Sequence, residues 1–146
     1  MPFDFIRPEG QDFAVGRGWG LVREADIHAS IDFAFARRTL YPGVDRMAII
    51  DTTARLHELD IAVLVRVRDR ILAHELMELE EPRHRMALVI PNPVHAGIGQ
   101  LYKALWDTLG YPEVRLEVAG GKGRAMAFLG RPRATPVPVP PSGHVI

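Results

Sequence analysis

Strands that alternate with helices along 146 residues predict an α/β protein, a single domain with a mostly parallel mixed sheet, an N-terminal hairpin and about four helices. Three observations carry that expectation. MAII at 47–50 and MALVI at 86–90 are continuous apolar runs of strand length, the pattern of strands covered on both faces. The stretches between and after them place apolar residues at helical spacing. Before the first helix the chain holds only short apolar runs broken by turn residues, as an edge hairpin would.

Taken in order, 3–6 and 13–15 are short apolar runs and 19–22 is a third, with GRG at 16–18 supplying turn residues between the last two. Asp26 is placed to cap a helix in which Ile27, Ile31, Ala34 and Phe35 recur at helical spacing, and YPG at 41–43 ends it. After the strand at 47–50, Asp60 caps the longest helix, which runs to about residue 80 before Pro82 stops it. Its expected inward positions are Ile61, Leu64, Val65, Leu72, Leu76 and Leu79.

The strand at 86–90 leads into PNPVHAGIGQLYKALWDTLG, with Asn92 as cap and Pro93 at the first helical position. Ile98, Leu101, Tyr102, Leu105 and Leu109 form one stripe, and Gly110 is the expected left-handed terminator. Val114, Leu116 and Val118 alternate as a last strand, and GKGRAMAFLG makes a short closing helix. From Arg131 the composition changes, with five prolines in the last sixteen residues and no amphipathic period. The domain is therefore expected over 1–130, with 131–146 an extended or disordered tail.

Composition excludes several classes. Eighteen basic residues balance eighteen acidic ones, so no net field favours nucleic acid. There is no cysteine, which removes disulfides, zinc–thiolate sites and thiol catalysis. The start MPFDFIRPEG lacks a basic segment followed by an apolar run, and no long apolar stretch occurs elsewhere, so a cytoplasmic protein without stable membrane insertion is expected.

The runs MAIID, RMALVIP and VRLEVAGGKGRAMAFLG, in this order and spacing, resemble the SpoIIAA-like proteins. These are small relatives of the STAS domain (sulfate transporter and anti-sigma factor antagonist) and share a fold with CRAL-TRIO lipid-binding domains. The likeness spans roughly residues 10 to 130 and rests on apolar strand patterns. The closing RAMAFLG is similar to that family's Ala-x-x-Trp-Leu ending, with Phe128 in place of tryptophan. The resemblance implies a single-domain STAS-like fold. In anti-sigma antagonists a phosphorylated serine at a helix start controls partner binding. Here that stretch is HELDIAV, where Glu58, Leu59, Asp60 and Ile61 carry no hydroxyl, so the phosphoswitch does not transfer.

In open α/β sheets ligands bind beyond the carboxyl ends of strands, and two such ends are legible. One is Asp51, Thr52 and Thr53. The other is Asn92, followed by His95 and Gly97 in the first turns of a helix whose free N–H groups suit an anion. Asp51, Thr52, Asn92, His95 and Gly97 are thus the candidate ligand-binding residues. Turn and capping rules account for the same residues structurally. Gly97 and Gly99 do not make a phosphate loop, because the Walker lysine is missing.

No metal site is expected, since the six histidines show neither His-x-x-x-His nor Glu-x-x-His spacing. Ser30 and Ser142 are the only serines and neither sits in a nucleophile elbow, so no catalytic residue is assigned. Glu75, Glu78, Glu80 and Glu81 at the end of the long helix read as a solvated face, and Tyr102 and Trp106 as core. The function expected is a non-enzymatic STAS-like domain that binds a protein partner or a small apolar ligand, without a cofactor, a homodimer being left open. The alternatives are a small hydrolase or isomerase with Asp51 and His95 as acid–base pair, and lipid binding by fold analogy.

Overall fold

Each parallel strand pair needs a crossover, and three helices supply them. The computed structural model describes residues 3–7, 12–135 and 137. Its elements run β1 (Phe3–Ile6), β2 (Phe13–Gly18), α1 (Glu24–Ala36), β3 (Asp45–Ile50), α2 (Ile61–Leu76), β4 (His84–Val89), α3 (Pro93–Asp107), β5 (Val114–Ala119) and α4 (Lys122–Phe128). The sheet order is β1-β2-β3-β4-β5, with β1 antiparallel to β2 and the remaining neighbours parallel. The α/β class, the mixed, mostly parallel sheet and the four helices are as the sequence predicts.

Because the order never reverses, right-handed crossovers put α1, α2 and α3 on the same face. That face buries Ala14, Ile31, Leu64, Ile71, Leu88 and Trp106 among others. The opposite face is closed by α4, where Ala125 and Met126 pack on Phe13, Val15, Met47, Ile49 and Val89. A monotonic order also has no topological switch point, so the crevice that such a reversal opens in doubly wound sheets is absent from this arrangement.

Four local expectations need correction. GRG at 16–18 is no turn: it lies inside β2, and residues 19–22 form no strand, Leu21 making only an isolated bridge to Arg55. The glycines serve close approach instead. Gly16 and Gly18 pair with Phe5 and Phe3, whose rings lie over them, so that a Cβ would fall 2.6 and 2.8 Å from ring carbons. Secondly, Asp26 does not cap α1. The helix starts at Glu24 after Arg23, and both acids sit in the first turn, where the helix dipole favours them.

Thirdly, α2 ends at Leu76, and its inward stripe is Val63, Leu64, Val67, Ile71 and Glu75; Ile61 is 58% exposed and Leu76 43%. Asp60 does cap it, accepting from the Val63 N–H at 2.9 Å. Keeping the charged Glu75 outside rotates the apparent apolar face away from the real one. Fourthly, the fourth strand opens at His84, two residues before the apolar run.

Past Gly130, Arg131 turns back onto the domain, bonding Asp45 at 2.9 Å, pairing with Asp12 and lying 4.8 Å over the Phe13 ring. Val137 packs against the α4-side core. The expected tail beyond it, 138–146, lies outside the described residues.

Candidate functional site

At the strand ends, local chemistry occupies the polar groups. Asp51 follows β3, and its carboxylate accepts from Arg17 of β2 at 2.6 Å. Its backbone N–H donates to Gly18 O and its carbonyl accepts from Ala54 N–H. Partial burial raises the Asp51 pKa, but the bonds from Arg17 and Thr53 outweigh it and hold the carboxyl below its ordinary range. A carboxylate held there is a weaker base than a free one. Thr52 is exposed, its hydroxyl reaching Asp51 at 3.5 Å.

Asn92 caps α3 by accepting from the Val94 N–H at 3.0 Å, and Pro93 takes the first helical position, as expected. His95 is half-buried, with its Nδ1 buried and unpartnered, while Gly97 is exposed with open space around its α-carbon. Asp51 is thus joined to β2, and Asn92 to its own helix.

The space in this protein lies elsewhere, between the sheet and α1–α3. A cavity of about 140 Å³ is walled by side chains from β1 to β4 and all three long helices. Several of the sheet residues that line it are small: Ala14 and Gly16 on β2 and Ala48 on β3. Phe3 and Phe5 fold over the glycines of β2 and wall the edge. The half-buried Phe3, Phe5, Ile27, Leu59 and Ile98 mark where it meets solvent. Among the described residues, Arg46 and Tyr102 are the only lining residues with polar side-chain ends.

Behind that wall sits a buried polar cluster drawn from four elements. Glu75 of α2 and His84 of β4 have fully buried side chains, joined by His84 Nδ1 at 2.8 and 3.0 Å from the two carboxylate oxygens. Arg46 of β3, 3% exposed at its side chain, approaches Glu75 at 3.7 Å, too long for a hydrogen bond, and lies 5.3 Å from the Phe35 ring centre. Trp106 of α3 meets His84 edge-on, with ring centres 4.9 Å apart. Nε, Nη1 and Nη2 of Arg46 and His84 Nε2 are buried without a hydrogen bond, and the buried Tyr102 hydroxyl and Trp106 Nε1 have only each other nearby.

Burial lowers the His84 pKa, with Arg46 adding to the effect against the opposing pull of Glu75, so the ring is neutral and donates through Nδ1. Burial also lowers the Arg46 pKa, though a guanidinium remains protonated. Tyr102 is pushed up to about 12 by burial, outweighing the opposite pull of the Trp106 side chain. The cluster thus holds a cation, an anion and three neutral rings, with more donors than its own acceptors satisfy.

Sequence reasoning missed this cluster. Glu75 reads as one of four glutamates on a solvated helix end, and His84 and Arg46 flank apolar runs. The available signal was phase: Val63, Val67, Ile71 and Glu75 recur every four residues, and following that stripe brings Glu75 inside.

Among the described residues no group of histidines and acids is arranged to hold a metal ion, and no helix is long and apolar enough to cross a membrane. Compared with known proteins, the chain matches no family model, no curated protein and no solved structure.

Proposed function

We propose that this chain is a non-enzymatic, STAS-like binding domain whose ligand is a small apolar molecule held between the sheet and α1–α3. The observation that carries this reading is the cavity, an apolar space of about 140 Å³ in contact with solvent at one side. Protein interiors pack nearly without voids, so a space of this size in a core is exceptional. Dry cavities of roughly 150 Å³ accept a benzene-sized guest, and the side in contact with solvent lets a longer tail extend outward from the enclosed space. A whole membrane lipid is far larger, so lipid carriage would need the core to open.

The strand-end residues support binding less well. Asp51 is engaged by Arg17, and Asn92 has its cap to make.

Titrating the protein with 1-octanol, followed by calorimetry and by thermal unfolding, tests the proposal. Saturable binding at one site with a rise in Tm is expected, because a ligand that binds only the folded state stabilises it. A flat titration with unchanged Tm would count against it.

A further inference from the structure

We infer that the cavity's occupant is a small apolar monocarboxylic acid, its carboxylate set against the Arg46 guanidinium and the Tyr102 hydroxyl and its hydrocarbon part filling the space beside Ala48. The inference rests on the binding reading above and specifies its ligand class.

Arg46 is the reason. A guanidinium carries five N–H donors and no acceptor, in a planar fork that fits a carboxylate. Here all three nitrogens are buried without a hydrogen bond. Of the carboxylates that act on it, Glu75 stands 3.7 Å away and already takes both His84 contacts and the Arg83 backbone N–H at 3.3 Å, and Asp45 is held by Arg85 and Arg131. The Phe35 ring offers only its π-face, which supplies part of the missing stabilisation. Native structures rarely leave such groups unpaired, and a charged group left so is costly.

The lining then selects the partner. Tyr102, the other lining residue with a polar end, adds a hydroxyl that stays protonated at every physiological pH. A donor-rich end asks for a group that only accepts, which describes a carboxylate. An amine would be repelled by Arg46. A phosphate would bring a second negative charge into a wall in which Arg46 is the one cation among the described residues.

The guanidinium and phenol ends lie just behind the apolar wall, so the head group reaches them through a side-chain adjustment. Met86, an unbranched lining residue, is suited to give way.

The test compares octanoate with 1-octanol and octylamine on the intact protein by calorimetry at neutral pH. These ligands share a tail and differ at the head. In an apolar site without an anchor, octanol binds best, because desolvating a carboxylate is unfavourable. The inference expects the reverse, octanoate bound at least about tenfold more tightly than octanol and octylamine not at all. Arg46→Met should abolish that preference while octanol still binds. Should Arg46→Met not fold, Tyr102→Phe, which removes one hydroxyl and keeps the ring, should lower the preference severalfold. Equal affinities, tighter octanol binding or an undiminished preference in the folded variants would overturn the acid assignment and leave the apolar-ligand reading standing. Binding by none of the three would overturn both.

Discussion

The two faces of the sheet are covered very differently and filled in the opposite sense. On one side a seven-residue helix, α4, closes a core in which Phe13, Val15, Ala87, Ala125 and Met126 are completely buried. On the other side three helices of 13, 16 and 15 residues cover the sheet, yet Ala48, Ile50 and Met86 remain half-buried around a cavity backed by an arginine. Covering a face is therefore not the same as filling it. Filling depends on the size of the residues that point inward, and β3 shows this within one strand: Met47 and Ile49 point to the filled side, Arg46 and Ala48 to the open one.

The largest effect should come from the cluster on the open side. Glu75→Ala removes the partner of His84 and the counter-charge of Arg46 together, leaving a buried cation uncompensated; a loss of about 3 to 5 kcal/mol is expected in denaturant unfolding. A loss below about 1 kcal/mol would mean that the pair is solvated and the cluster is not the closed structure described.

On the filled side, enlarging a residue should be costly. Ala87 of β4 is fully buried against the α4 core, and Ala87→Leu should destabilise by about 1 to 3 kcal/mol through overpacking. A neutral result there would erase the difference between the faces.

The pH dependence of stability separates them further. The His84 pKa is lowered in the folded state, so below its ordinary value of 6.5 the unfolded chain binds a proton that the folded one refuses. Its contribution is complete above pH 6.5 and is lost as pH falls toward the folded pKa, at up to about 1.4 kcal/mol per unit. His84→Asn, which can keep a donor toward Glu75, should flatten that portion of the profile. Identical profiles for the two proteins would show that His84 is not buried neutral.

How much of this was legible in the sequence follows from what each rule sees. Periodicity and turn chemistry found all four helices, the strands β3, β4 and β5 and the Asn92 and Asp60 caps, because those are set by neighbouring residues. They misread Gly16 and Gly18, since a glycine that admits a ring from the next strand looks the same in sequence as one that turns the chain. They also misplaced the inward stripe of α2, because a buried glutamate is recognisable only once its partners from β3 and β4 are in place. The candidate strand ends were picked from a rule about reversing sheets, and this sheet does not reverse. Those residues should respond weakly: Asn92→Ala is expected to cost about 1 kcal/mol as a lost cap, and Thr52→Val, at an exposed hydroxyl, within about 0.5 kcal/mol. A larger cost at Thr52 than at Asn92 would reopen the loop after β3 as a structured site.

The most direct measurement is octanol and octanoate binding to Ala48→Leu, read beside its unfolding free energy. Ala48 faces the space that the ligand would occupy, so leucine there replaces the guest with three further carbon atoms of the protein's own. Stability within about 1 kcal/mol of the parent, or above it, is expected together with loss of binding to both compounds, in contrast to Ala87→Leu. A variant that folds as stably as the parent and binds either compound with unchanged affinity would contradict the assignment of this cavity as the binding site.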